Sequence, residues 1–189
     1  MSSEIDQRSA LSQRLTVAIA TPLVLLFALG LVLGQQILRL SEDARWVDHS
    51  DQVIATTNAT LVQVVDQETG VRGYLVTGDR LFLEPFLKAR PLDGFARLHE
   101  LVADSPLQQG RFDEAKRRYE QWLSMASPVV DGRPSEAHRT PEVMAERKRQ
   151  MDGIREKLGA ALEIEQQLRT ERVSASAAST ASTKVVFLG

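Results

Sequence analysis

The chain has 189 residues, of which 43% are hydrophobic and 25% are charged, and this is the composition of a folded protein rather than a disordered one. Its formal net charge of −2 gives no electrostatic basis for binding nucleic acid, and the absence of cysteine excludes disulfides and thiolate metal sites. Ala, Leu, Glu, Gln and Arg dominate the composition, which favours helices.

The first predicted element is a run without charged residues from Leu15 to Leu38. A helix needs about 20 apolar residues to cross the roughly 30 Å of membrane hydrocarbon, so this run is long enough. A cleaved signal peptide has a shorter apolar region, about 7–15 residues, followed by a small-residue cleavage site, which Gly34-Gln35-Gln36 does not provide. We therefore predict an uncleaved transmembrane helix over residues 15–38. A buried helix of a soluble protein is the alternative.

The basic residues beside this run determine its predicted orientation. Arg8 and Arg14 precede it, and Arg39 and Arg45 follow it, so a simple count is a tie. Translocated segments longer than about 60 residues carry little weight in topology. If residues 39–182 form such a segment, the N-terminal side decides, and we predict a cytoplasmic tail over residues 1–14 and an extracytoplasmic domain over residues 39–182.

Within the predicted span, Gly30 and Gly34 form a Gly-x-x-x-Gly pair. Small residues at this spacing let two membrane helices approach closely, so the pair predicts a dimer contact. The alternative is that small residues are simply common in membrane spans.

A heptad pattern continues beyond the span and predicts one helix that extends out of the membrane. Its members are Leu33, Ile37, Leu40, Ala44, Val47, Asp51, Ile54, Asn58, Leu61 and Val65. We call this set the predicted seam and interpret its polar members as residues that fix the helix register. The same pattern extends to Glu68 and Arg72, which are therefore expected to face inward, either as a specificity device or as part of a polar pocket.

The stretch from Glu68 to Asp79 has an unusual composition for a helix. Gly70 and Gly73 share one helix face, which lets another part of the backbone approach closely. Glu68 and Arg72 are four residues apart and carry opposite charges. Thr77-Gly78-Asp79 then predicts the end of one helix and the beginning of the next.

This stretch resembles the signature of CHASE domains of the third type. The resemblance rests on Glu68-Thr69-Gly70-x-Arg72-Gly73-Tyr74-Leu75-x-Thr77-Gly78-Asp79 followed by Phe82-Leu83-Glu84-Pro85-Phe86. It implies an extracytoplasmic helical sensor between two spans in the bacterial inner membrane. Such modules are attached to histidine kinases, cyclic-di-GMP enzymes or chemoreceptors. The resemblance covers residues 35–183, but its diagnostic residues are confined to this stretch.

Three further helices are predicted downstream. One covers residues 80–105 with Phe82 and Leu92 among its core side chains, one is marked by the spacing from Phe112 to Ala126, and one follows the Pro-rich linker Ser127–Pro141. The charged residues 146–157 are expected to be ordinary solvated surface. Residues 183–189 are interpreted as the beginning of a second span in a truncated chain. The predicted fold class is all-α, an antiparallel four-helix bundle continuous with an N-terminal transmembrane helix.

Antiparallel helices with short connections bring the first and third connections to the same end. This predicts a pocket at the end far from the membrane. Its expected lining is Glu68, Arg72, Tyr74, Arg133 and His138. The alternative, which we favour, is that the signature motif only shapes a helix corner. The motif residues are Glu68, Thr69, Gly70, Arg72, Gly73, Tyr74, Thr77, Gly78 and Asp79.

No catalytic or metal-binding arrangement is visible in the sequence. His49, His99 and His138 lack the spacing of metal ligands, and there is no nucleophile elbow or phosphate loop. We therefore expect no enzyme activity, cofactor or metal in this chain. The predicted function is signal sensing, with a small-molecule or protein ligand, for a membrane receptor such as a homodimeric sensor histidine kinase. The alternative is a non-catalytic membrane-anchored helical adaptor or assembly subunit.

Overall fold

The computed structural model describes residues 2–132 and 135–188, with side chains over residues 18–132 and 135–177. The α-helices are α1 (Ser2–Thr77), α2 (Glu84–Lys88), α3 (Pro91–Leu101), α4 (Pro106–Val130) and α5 (Pro141–Leu188), with single 3-10 turns at Arg80–Leu83 and Glu136–Arg139. These described residues contain no β-strand. The prediction of an all-α chain is confirmed.

Two compact units divide the chain, residues 1–45 and residues 46–189, and α1 contributes to both. In the first unit the side chains described between residues 18 and 38 are exposed, apart from the half-exposed Gln36. Among the residues that the structure describes, one helix, Ala18–Thr77, contains a segment long and apolar enough to cross a membrane. The side chains of residues 1–14 and 183–189, the predicted tail and second span, lie outside the described residues.

The second unit contains the hydrophobic core. Its large buried side chains come from α1, the Arg80–Leu83 turn, α3, α4 and α5. They include Val53, Val64, Val71, Leu83, Phe95, Leu98, Phe112, Tyr119, Trp122, Met151, Ile154 and Leu158. Every apolar residue that marked the helix from Phe112 to Ala126 is buried, because the 3,4 spacing keeps them on one face of α4.

Contacts within this unit show the relative directions of its helices. Between α1 and α5, Asp51 pairs with Arg169 and Glu68 pairs with Arg155, so residue number rises along one helix as it falls along the other. Between α4 and α5, the Met125 carbonyl accepts a hydrogen bond from Arg147. The last turns of α1 and α4 and the first turns of α5 therefore lie at the same end of the unit.

The buried face of α1 differs from the predicted seam. The inward positions are Ser50, Val53, Thr57, Thr60, Val64, Gln67, Val71 and Tyr74, whereas the seam residues Asp51 and Asn58 are exposed. The spacing of the predicted seam fits a helix, but the face of α1 that it assigned to the interior is wrong. The physical reason is that polar side chains on the true face are satisfied locally: Thr57 Oγ1 donates to the Val53 carbonyl at 2.7 Å.

The predicted helix over residues 80–105 is divided into a 3-10 turn and two helices. Pro85 and Pro91 each lie in the first turn of a helix, where the missing N–H has no partner to lose. As a result Phe82 and Leu92, predicted to be core residues, are about two-fifths exposed. Helix α4 continues through Pro128 to Val130, so the predicted linker from Ser127 is shorter than expected.

Candidate functional site

The signature motif forms the end of α1 and the turn that follows it, which we call the corner (residues 68–86). Gly78 has φ +72°, a conformation that side chains disfavour, and its N–H donates to the Tyr74 carbonyl at 2.8 Å. Thr77 Oγ1 donates to the Gly73 carbonyl at 2.8 Å. Asp79 Oδ1 then accepts from the Leu81 N–H at 2.9 Å and caps the 3-10 turn. These contacts fix the direction in which the chain leaves α1.

Gly70 and Gly73, two of the three glycines of the motif, are required by the close approach of Phe82. A Cβ atom at Gly70 would lie 2.6 Å from the Phe82 carbonyl oxygen, and one at Gly73 would collide with the Phe82 ring. Thr69 is exposed, and Tyr74 is buried in the core. The corner contributes directly to folding through Gly70, Gly73 and Gly78.

Gln67 and Tyr119 form a buried hydrogen-bonded pair that holds the corner in place. Gln67 Nε2 donates to the Phe86 carbonyl at 3.1 Å, and Gln67 Oε1 accepts from the Tyr119 hydroxyl at 2.8 Å. Burial raises the pKa of Tyr119 to about 12. Helices α1 and α4 are thereby tied together through a neutral polar contact.

A cavity of about 340 Å³ opens beside the corner, between the end of α1, α4 and the beginning of α5. We call it the corner cavity. Its apolar wall is formed by Val71, Leu75, Trp122, Met144 and Ala145. This volume lies within the range of small-molecule sites, which are about 300–1,000 Å³ and largely apolar with a few polar groups.

Charged side chains complete the wall of the corner cavity. They are Glu68, Arg72, Arg147, Lys148, Asp152 and Arg155. Glu68 pairs with Arg155, and more distantly with Arg72 at 3.7 Å; its side chain is only 12% exposed, while that of Arg72 is 75% exposed. The hydrogen bond from Lys148 is the main cause that lowers the pKa of Asp152. Both acids of the wall are therefore engaged by cations of the same wall.

Arg147 is the unusual member of this group because it is buried, with 8% exposure, and its described contacts include no carboxylate. Its guanidinium donates to two backbone carbonyls, of His138 at 3.3 Å and of Met125 at 3.0 Å, and its Nε atom is buried without a hydrogen-bond partner. Burial lowers the pKa of Arg147. The expectation that residues 146–157 are solvated surface is wrong for this residue.

The structure distributes the predicted pocket residues among several places. Glu68 and Arg72 line the corner cavity, and Tyr74 lies in the core. His138 borders a second cavity of about 440 Å³, and its ring accepts from the Ser135 N–H at 2.9 Å. Arg133 lies outside the described residues. In the part of the chain that the structure describes, no group of three or more His, Asp and Glu side chains is arranged to hold a metal ion.

Sequence reasoning missed the residues that α4 and α5 contribute to the corner cavity. Trp122 belongs to the apolar spacing that predicted a helix from Phe112 to Ala126; it is buried in the core and also borders the cavity. Arg147, Met151 and Arg155 follow each other at intervals of four, so two cations flank the buried Met151 on one helix face. Cations beside an apolar helix face were the sequence signal that could have identified these cavity residues.

At the opposite end of the second unit, α1 and α5 meet through polar side chains that we call the entry cluster. Its members are Trp46, Ser50, Asp51, Glu165, Arg169 and Arg172. Arg169 Nε donates to Asp51 at 2.5 Å. Arg172 contacts Ser50 at 2.5 Å and the buried Glu165 at 3.4 Å, and its guanidinium carbon lies 5.0 Å from the centre of the Trp46 ring.

Gly30 and Gly34, the predicted dimer contact, lie on α1 in the first unit. Both are exposed, and a Cβ atom at either position would meet nothing within 4 Å. The dimer contact stays a prediction.

An all-α unit with a cavity that is apolar on one side and charged on the other has the features of a ligand-binding module. The model of the CHASE3 domain matches residues 43–175, and the chain therefore belongs to the CHASE3 domain family. The resemblance drawn from the signature motif is confirmed. CHASE3 domains are extracellular sensory domains of signalling receptors, and they are not catalytic. No curated protein and no solved structure matched the chain.

Proposed function

We propose that this chain is the extracytoplasmic sensing region of a receptor of the bacterial inner membrane, with a sensor histidine kinase as the expected receptor type. Residues 15–38 cross the membrane, residues 1–14 are cytoplasmic, and residues 39–182 receive the stimulus. The observation that supports this most directly is the order of features along the chain. The apolar, unburied segment of α1 ends shortly before residue 43, where the match to the sensory family begins.

The corner cavity is the proposed place of reception. Its wall combines side chains of α1, α4 and α5, so an occupant contacts three helices at once. An occupant that binds better to one relative position of α1 and α5 shifts the population toward that position. Small helix shifts of about 1–2 Å are a known form of switching.

The entry cluster is the proposed place where this shift is passed on. Exposed ion pairs such as Asp51–Arg169 contribute little free energy and exchange partners readily, so they permit a sliding movement of α5 along α1. The proposed receptor is a homodimer, with the Gly30–Gly34 face as the contact between the two membrane helices.

Membrane orientation can be tested with single cysteines, because the chain has none of its own. Ser3→Cys and Ala55→Cys are expressed separately in cells and treated with a membrane-impermeant maleimide. We expect labelling of position 55 in intact cells and of position 3 only after permeabilisation. Labelling of both positions from the same side would contradict the proposal.

Transmission can be tested by joining α1 to α5 in the receptor that carries this domain. Asp51→Cys with Arg169→Cys, and Glu68→Cys with Arg155→Cys, place cysteine pairs at the two ends of the α1–α5 contact. Bridging each pair with a bifunctional methanethiosulfonate reagent is expected to lock the receptor output in one state, and reduction is expected to release it. Output that is unchanged by both crosslinks would favour the adaptor function.

A further inference from the structure

Arg147 is a buried cation whose described contacts include no acidic partner. A buried charge normally has a counterion, because removing it from water is costly. Among the described residues, the Nη atoms donate to the carbonyls of His138 and Met125, and Nε has no acceptor. We propose that the corner cavity binds a small organic carboxylate with an apolar body, and that Arg147 supplies the fixed positive charge that selects it. The inference rests on the proposed function, because it names the class of ligand for the same cavity.

The charges of the wall favour an anion. Four cations face two acids, so the wall carries a net charge of +2, and each acid is already paired with a cation of the wall. The second cavity, which Arg147 also borders, has the opposite balance. Among the described residues that border it, the acids Glu142 and Glu146 accompany Arg147, and they disfavour an anion there. An anion is therefore expected to bind in the corner cavity rather than in the second cavity.

The two unpaired or weakly paired arginines have different roles. Arg147 borders the corner cavity and also the second cavity, where the carbonyls of His138 and Met125 hold its guanidinium. It is a fixed charge at a buried position beside the corner cavity, where electrostatic attraction is less screened than in water. Arg72 is exposed, and its 3.7 Å contact with Glu68 is long for an ion pair. Its planar guanidinium is free to turn toward a carboxylate and bind it with two parallel hydrogen bonds.

The apolar part of the wall defines the rest of the ligand. Leu75, Met144 and Trp122 offer aliphatic and aromatic surface beside the charged groups. An inorganic anion would leave this surface in contact with water, whereas a carboxylate with an aliphatic or phenyl body covers it.

The test uses the full chain in lipid nanodiscs and the fluorescence of Trp122. Trp46 is the other tryptophan, so Trp46→Phe leaves one reporter in the cavity wall. The probes are two matched pairs, octanoate with octanamide and 3-phenylpropanoate with 3-phenylpropanamide. Within each pair the body is the same and only the charge differs. We expect each acid to change Trp122 emission and to bind about tenfold more tightly than its amide.

Three variants in the Trp46→Phe background locate the effect. Arg147→Met removes the buried charge but keeps an unbranched, flexible side chain, and it is expected to abolish the preference for acid over amide. Arg72→Gln changes an exposed residue and is expected to reduce the preference severalfold without affecting the fold. Arg139→Gln is the control, because this exposed arginine lies outside the wall, and it should keep the full preference.

Equal binding of acid and amide, no binding of either acid up to about 10 mM, or a preference that survives both Arg147→Met and Arg72→Gln would overturn the proposal. If Arg147→Met does not fold, the preference for acid over amide measured in Arg72→Gln alone decides whether the proposal stands. The outcome is separable from that of the sensing function. Failure of the acids together with crosslink-dependent output rejects the ligand class only, whereas bound acids together with unchanged output reject the sensing function.

Discussion

The ends of α1 and α4 and the beginning of α5 surround the corner cavity. At the entry cluster, in contrast, α1 and α5 contact each other directly through polar side chains. The corner depends on tight steric contact, with Phe82 placed against two glycines. The wall of the adjoining corner cavity contains a buried cation, Arg147, whose described contacts include no acidic partner. In the entry cluster every cation has a described partner, and the Asp51–Arg169 ion pair is open to solvent.

This difference separates two tasks within one helical unit. The corner cavity combines empty volume with more cations than acids in its wall, which suits it to receive a ligand. Exchangeable polar contacts occur in the entry cluster, between the middle of α1 and the second half of α5, which suits that end to a change of register. The predictions below test whether the two ends differ as this division requires.

The largest effect is expected from Gly70→Ala, which breaks the corner. The added Cβ lies 2.6 Å from a backbone oxygen that cannot rotate away, so we expect a loss of about 2–3 kcal/mol in the free energy of unfolding. Gly159→Ala on α5 is the matched control, since its Cβ meets nothing within 4 Å, and a gain of up to about 1 kcal/mol is expected. Denaturant unfolding of the full chain followed by circular dichroism measures both. Similar losses in the two variants would show that Phe82 does not constrain the corner.

Tyr119 makes the corner sensitive to alkaline pH. Its folded pKa, about 12, is above the ordinary value of 10, so the unfolded chain loses this proton first as the pH rises. The contribution of Tyr119 to stability is therefore complete below pH 10 and falls by about 1.4 kcal/mol per pH unit between pH 10 and 12. The pH dependence of unfolding in Tyr119→Phe should be flatter over this interval. Parallel curves for the two proteins would contradict the assigned burial.

Glu68→Gln tests the charged wall of the corner cavity. The side chain is 12% exposed and faces Arg155 and Arg72, so removing its charge leaves two cations near each other, and we expect a loss of about 1–2 kcal/mol. The loss should persist in about 1 M NaCl because the site is partly shielded from solvent. Thermal unfolding at low and high salt gives the comparison.

The smallest effect is expected from Asp51→Asn in the entry cluster. The two side chains of this ion pair are 50% and 43% exposed, so the loss should be about 0.2–1 kcal/mol and should vanish in about 1 M NaCl. If Asp51→Asn lowered the free energy of unfolding as much as Glu68→Gln, with the same resistance to salt, the entry cluster and the corner cavity would not differ as proposed.

Sequence reasoning was successful where a residue type is dictated by backbone geometry. Gly78 and Asp79 indicated the end of α1 and the cap of the next turn, and the structure has both. It failed on the face of α1, because Thr57, Thr60 and Gln67 look like surface residues until their hydrogen-bond partners are known. It also failed on Arg147, since the burial of a cation depends on how α4 approaches α5, and no periodicity in one helix contains that information.

The most direct test of the central claim measures the distance between α1 and α5 while the corner cavity is filled. Ala55→Cys and Gln167→Cys are exposed positions on the two helices and carry spin labels in a chain without other cysteines. Binding of octanoate is verified by Trp122 fluorescence, and the label distance is measured by pulsed electron paramagnetic resonance. The account predicts a shift of about 1–2 Å that is absent in Arg147→Met. An unchanged distance distribution with octanoate bound would contradict it.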